Sequence, residues 1–130
     1  MSDFANSLTM SASGLRAQAM RLRLTSENIA NTDTPGYHRK MVPFETKTDP
    51  RTNVTTVSTG RVNLDRSDLQ QIHDPSNPLA DEAGNFDGSN VDIIIEIADA
   101  REAQRSYDAN LKMFDQTRKM SASLLELLRR

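Results

Sequence analysis

Leu8, Leu15, Leu22 and Ile29 recur at intervals of seven, and Phe4, Ala12, Ala19 and Ser26 lie three or four residues from them. This 4-3-4-3 spacing predicts one amphipathic helix over residues 4–31, with a narrow stripe of the coiled-coil type. Half of the stripe is small, so a neighbouring helix can approach closely. The run Asn28, Asn31, Thr32, Asp33, Thr34, Pro35 and Gly36 ends it. Asparagine and Pro-Gly form turns, and the residue before proline is pushed out of the helical region.

A second helix is predicted from about Val91 to Arg130, a stretch without proline or glycine. Asp87-Gly88 reads as a turn, and Ser89 with Asp92 three residues later reads as a capping box. The apolar stripe runs through Ile93, Ile97, Ala100, Tyr107, Leu111 and Phe114, then moves to Met113, Met120, Leu124 and Leu127. That drift signals a change of buried face rather than one heptad register. At 1.5 Å per residue the two helices span roughly 40 and 60 Å. The longer one overhangs the shorter and ends in Leu124, Leu125, Leu127 and Leu128, on nearly all sides of the helix. Such an end wants partners from other chains, which predicts an assembly subunit.

Between the helices the texture changes. Tyr37 to Phe44 reads as an extended edge segment, with Pro43 arguing against a central strand. Residues 53–57 and 60–64 alternate and are rich in β-branched side chains, which suggests short strands or a hairpin. Residues 74–88 carry Pro75, Pro78, Gly84, Gly88 and several acids, and read as an ordered loop. The predicted organisation is therefore a mainly α, elongated subunit. Residues 1–36 and 89–130 form a coiled-coil-like helical part, and 37–88 a short extended or β-rich middle. This middle has too few large apolar residues for its own core and should lean on the helices.

Composition sharpens the picture. Of 130 residues only 36% are hydrophobic and 5% aromatic, with no tryptophan, a thin supply for one compact core. Sixteen basic and eighteen acidic residues leave a net charge of −2 without a basic stripe, so no nucleic-acid partner is expected. No apolar run approaches a membrane span. The beginning lacks the pattern of a cleaved secretory peptide.

Candidate chemistry is sparse. His38 and His73 are the only histidines, and cysteine is absent, so no thiolate or histidine set has metal-ligand spacing. Read as a calcium loop from Asp81, the acidic segment places Ala83 at position three and Phe86 at position six, where an oxygen ligand and a glycine are needed. Asp92 and Glu96 share a helical face with no nucleophile beside them. No catalytic, cofactor or metal site is expected, and the chain does not read as an enzyme.

The segment Ser26-Glu27-Asn28-Ile29-Ala30-Asn31-Thr32-Asp33-Thr34-Pro35-Gly36-Tyr37 resembles the signature shared by the flagellar axial proteins of rod and hook. Asp74-Pro75-Ser76-Asn77-Pro78-Leu79-Ala80-Asp81-Glu82-Ala83-Gly84 looks like the loop of that family's proximal-rod branch. Asn90-Val91-Asp92, Arg105 to Asn110 and the leucine-rich tail fit the same group. Ile29 stands where the family more usually has leucine, which preserves apolar volume.

This resemblance implies a subunit of the helical drive shaft that crosses the periplasm, transmits motor torque and surrounds the export channel. It implies export without a cleaved signal peptide. The implied partners are other copies, other proximal-rod proteins, a membrane-ring or export-gate adaptor, and the distal rod. The terminal helices would form the inner tube through Phe4, Leu8, Leu15, Leu22 and Ile29 on the first. Ile93, Ile97, Tyr107, Leu111, Phe114, Leu124 and Leu127 would serve on the second. Asn28, Asn31, Thr32, Pro35, Gly36 and Tyr37 would shape the helix exit, and Asp74, Pro75, Pro78, Asp81 and Gly84 the loop. A soluble coiled-coil adaptor or chaperone-like module shares the helices, but does not explain the asparagine-rich exit or the proline-rich loop.

Overall fold

The computed structural model describes residues 2–130; Met1, which the predicted helical part includes, lies outside the described residues. In chain order the elements are α1 (Ser2–Ala30), β1 (Lys40–Met41), β2 (Phe44–Thr48), β3 (Thr55–Thr59), β4 (Asn63–Leu64), β5 (Gln71–His73), β6 (Asn85–Asp87) and α2 (Ile93–Leu128). Two long helices thus enclose a middle of short antiparallel strand pairs.

The helices pack against each other in antiparallel fashion. Asn28 meets Glu96 at one end of the contact, Arg21 meets Asp99, and Gly14 faces Asn110 further along. Fourteen positions separate the outer contacts on both helices, so the register is constant. A Cβ on Gly14 would sit 2.7 Å from Asn110 Oδ1, which shows how closely the backbones approach there. Positions 14, 21 and 28 and positions 96, 103 and 110 each repeat at seven, the period of a coiled-coil seam. Their content is small or polar. Among the described residues the buried hydrophobic side chains are Ala17, Leu24 and Ala103.

The leucine stripe of α1 lies one residue further round, about 100° away. Leu8, Leu15 and Leu22 are half-buried and Ile29 is exposed.

Several local expectations are corrected. Asp92, not Ser89, caps α2: it has extended backbone, and its carboxylate accepts the Ile94 N–H at 3.0 Å. Ser89 is buried and instead donates its hydroxyl to the Thr32 carbonyl, pinning the exit of α1. Residues 53–57 and 60–64 do not pair with each other. β3 pairs with β2 from Phe44↔Thr59 to Thr48↔Thr55, and β4 pairs with β1. The turn between β2 and β3 places Asn53 at φ 56, a left-handed position that asparagine tolerates. Pro43 sits between β1 and β2, and its carbonyl accepts the Gly60 N–H at 2.9 Å, so its missing donor costs no ladder bond.

Residues 74–88 are not all loop. β5 and β6 pair as Gln71↔Asp87, Ile72↔Phe86 and His73↔Asn85, with the half-buried Ile72 and Phe86 opposite one another. The acids and prolines lie in the connection, which masked a strand three residues long. The middle leans on the helices as expected: the Val57 N–H donates to Ser13 Oγ on α1 at 3.1 Å. The Gly36 N–H reaches the carbonyls of Asp87 and Gly88 at 3.2 and 3.0 Å.

Because apolar burial between the helices is so limited, its few members matter. Leu24 is 4% exposed; Leu24→Ala should cost about 2–3 kcal/mol, near the lower end for leucine truncation. Ile94 is 79% exposed, and Ile94→Ala should stay within about 0.5 kcal/mol of the parent. Denaturant unfolding of the full chain checks both; equal effects would contradict this packing.

Candidate assembly interface

Where α1 ends, three elements meet around two buried polar side chains. Asn28 and Glu96 are each 1% exposed. The Asn28 carboxamide reads the backbone of β1 on both sides. Its Oδ1 accepts the Lys40 N–H at 2.9 Å, and its Nδ2 donates to the Lys40 carbonyl at 2.9 Å and to Glu96 Oε2 at 3.3 Å. The Tyr37 hydroxyl donates to the same Oδ1 at 2.8 Å. On the other side of Glu96, Arg39 Nε donates to Oε1 while its outer nitrogen donates to Asp99 Oδ2 at 2.8 Å. The Arg39 N–H donates to Asn90 Oδ1 at 2.6 Å, and Asn90 Nδ2 donates to the carbonyls of Asp65 and Ser67. The network thus ties α1, β1, the segment after β4 and the start of α2 together.

The helix exit is held in the same way. Asn31 Nδ2 donates to the Glu27 carbonyl at 2.8 Å, and the Thr32 hydroxyl donates to the Ile29 carbonyl at 2.8 Å. Gly36 adopts φ +75, open to glycine without strain. Pro35 is exposed in this turn. Electrostatics follow the geometry. Burial, and next the charge of Glu27, push the Tyr37 phenol above its ordinary 10.0. Burial works against the Arg39 charge, but the bond and charge of Glu96, with Asp99 and Asp65 behind, outweigh it and raise the guanidinium.

The predicted loop is tied to itself. The Asp74 N–H donates to the Gly84 carbonyl at 2.9 Å, Asp74 Oδ1 accepts from Ser76, and Asp81 Oδ1 accepts the Asn85 N–H at 2.9 Å. Gly84, at φ +83, packs beneath Pro75, where a Cβ would lie 2.8 Å from the proline Cγ. Pro78 and the neighbouring Leu79 are exposed at its tip. The histidines serve locally: His38 Nδ1 pairs with the Asp65 carbonyl and His73 Nδ1 with Asn85 Oδ1.

Away from the knot, α2 presents apolar side chains to the outside along its length. Ile93, Ile97, Leu111, Leu124 and Leu127 are exposed, and Leu128 is 80% exposed. Tyr107 and Phe114 are half-buried, as is Phe4 on α1. The candidate seam residues therefore divide into half-buried side chains beside α1 and an open band ending in the leucine overhang. Glu96 and Arg39, the centre of the polar knot, were not among the candidates. A carboxylate interrupting the apolar run from Ile93 to Ile97 is the available signal.

Comparison with known proteins decides what this arrangement belongs to. The family described as "Flagella basal body rod protein" matches residues 8–38, and "Flagellar basal body rod FlgEFG protein C-terminal" matches residues 82–127. The chain is 46% identical over 127 residues to the flagellar basal-body rod protein FlgC of Agrobacterium fabrum, covering 92% of this chain and 91% of that one. The chain belongs to the FlgC family of flagellar basal-body rod proteins. The FlgC proteins of Aquifex aeolicus and Bacillus subtilis are 33% and 31% identical, over 92% and 94% of this chain and 93% and 96% of theirs. Membership in the FlgC family makes the chain a structural rod subunit that assembles with other rod proteins, and disfavours the free adaptor. Among the described residues no helix is long and apolar enough to cross a membrane.

Two outcomes test the knot. Asn28→Ala leaves the Lys40 backbone and Glu96 short of partners and should cost about 2–3 kcal/mol in denaturant unfolding. Its sparing by such a change would contradict the bonding described. The Tyr37 phenol has a folded pKa above its unfolded 10.0, so its stabilising contribution is intact below that pH and is lost as pH rises through the folded value. In a Tyr107→Phe chain, where Tyr37 is the one remaining tyrosine, tyrosinate absorbance should have its midpoint above 10.0. A midpoint at or below that value would contradict the burial of the Tyr37 phenol beside Glu27.

Proposed function

We propose that this chain is a non-enzymatic subunit of the proximal rod, part of the shaft that transmits torque across the periplasm and surrounds the export channel. It reaches that place through the flagellar export apparatus without loss of a cleaved signal peptide. Its neighbours are further copies, the other proximal-rod proteins, a membrane-ring or export-gate adaptor at the base, and the distal rod above. The two-part organisation follows: residues 1–36 with 89–130 line the tube, and 37–88 make the outer contacts.

One observation carries this reading. The seam inside the chain is polar and small, while the apolar stripes on both helices remain half-exposed or exposed. An isolated subunit leaves that surface wet, and contiguous exposed apolar surface marks an interaction site. Leu8, Leu15, Leu22 and Ile29 then form one assembly seam. Ile93, Ile97, Leu111, Leu124 and Leu127 form another, with Phe4, Tyr107 and Phe114 at the margin of the pair. The turn residues from Asn28 to Tyr37 fix where the middle leaves the tube, and the self-closed loop from Asp74 to Gly84 projects outward.

Aspartate at the stripes separates assembly from folding. Leu22→Asp and Leu127→Asp would each place a charge in a closely packed intermolecular face, where burial without a partner is costly. Both chains should be exported at near-parent levels yet fail to build rods, with motility lost. Motile cells carrying either variant would contradict the seam assignment.

A further inference from the structure

The helix pair faces a problem of register. Among the described residues the buried apolar side chains are Ala17, Leu24 and Ala103, and small residues discriminate poorly between alignments. A slip of one heptad moves α2 by about 10.5 Å along α1. In one direction it would set Gly14 against Ala103, Ala17 against Ala100 and Leu24 against Ile93, and would bring Arg21 beside Glu96. Such an alignment is as apolar as the native one and keeps an ion pair. What it loses is specific: Asn28 leaves Glu96, and Arg39 loses the carboxylate it now contacts.

We propose that Asn28, Arg39 and Glu96 form a register lock, which admits one alignment of α1 with α2 and docks the middle only when that alignment is made. Glu96 is wholly buried, and a buried carboxylate is tolerated only when its charge is paired and its remaining lone pairs are bonded, which Arg21 alone would not supply. Both of its partners are supplied from the far side of the helix turn. Asn28 comes from α1, and Arg39 comes from the segment that Asn28 itself holds through Lys40. Arg39 is further bound by Asn90, which grips the carbonyls of Asp65 and Ser67. The native register therefore completes the network in three elements together, and a slipped register breaks it in all three. Buried polar groups that specify register at a cost in stability have this logic in coiled coils. The lock sets the axial phase in which the two apolar stripes are displayed. It is a property of the subunit alone and stands whichever proteins cover those stripes.

The chain has no cysteine, so Arg23→Cys and Arg105→Cys, both exposed and outside the lock, give two unique spin-label sites. Distances between them are measured in the full chain, alone and diluted with unlabelled chain in isolated basal bodies. The parent should show one narrow distance. The apolar triple variant Asn28→Leu, Arg39→Met, Glu96→Leu should stay helical by circular dichroism, yet show a second population or a spread displaced by about 10 Å. A single unchanged distance in the triple variant would overturn the proposal. So would loss of its helix, which would assign the knot to stability instead of register. Arg39→Met alone tests the coupling. Amide exchange should quicken about tenfold both at β1 and β4 and in the first turns of α2, a loss of about 1.4 kcal/mol of protection. Faster exchange confined to β1 would contradict it.

Discussion

Burying one carboxylate between two helices is the constraint on which this structure turns. Glu96 lies on the small, polar face of α2 that meets α1, lacks access to water, and must be satisfied by protein groups. Asn28 supplies one bond and the Arg39 guanidinium the other. Meeting that demand brings β1 against the helix pair, because Lys40 belongs to it and Arg39 directly precedes it. It also fixes the turn from Asn31 to Gly36, since the chain must return from Asn28 to Lys40 within twelve positions. The hydroxyl of Ser89 and the carboxamide of Asn90 then fasten the start of α2 to the same place. A short stretch of sequence thereby organises both ends of the chain.

The division between inner and outer surfaces follows. A helix pair held by apolar packing would have spent its leucines on itself. Here the inner seam includes Gly14, Arg21 and Asn28 against Glu96, Asp99 and Asn110, and among the described residues Leu24 is the one buried leucine. Helices in water draw most of their stability from tertiary burial, and little of the apolar surface of these two is buried within the chain. Within the subunit, shape is specified by polar contacts more than by apolar packing.

Much of this was legible in the sequence. The interval of seven from Leu8 to Ile29 and the unbroken stretch after Val91 locate two long helices, and the lack of a core in the middle predicts that it leans on them. Period alone could not say which stripe faces the partner helix. Positions 14, 21 and 28 share the interval of positions 8, 15, 22 and 29, and small polar residues carry no hydropathy signal. Strand pairing failed for a related reason. Residues 55–59 have suitable neighbours on both sides, and the choice of 44–48 depends on the Pro43 carbonyl meeting Gly60. The three-residue strands β5 and β6 are too short to show alternation. The role of Glu96 stays hidden because its partner Arg39 lies 57 residues away in sequence, a contact that only the fold brings about.

The most direct measurement is electron cryo-microscopy of isolated basal bodies at side-chain resolution. The account predicts that Asn28–Glu96 and Gly14–Asn110 remain contacts within one chain, while Leu15, Leu22, Leu124 and Leu127 are covered by other subunits. Leucine stripes left facing water, or a Glu96 that meets a neighbouring chain in place of Asn28 and Arg39, would contradict it.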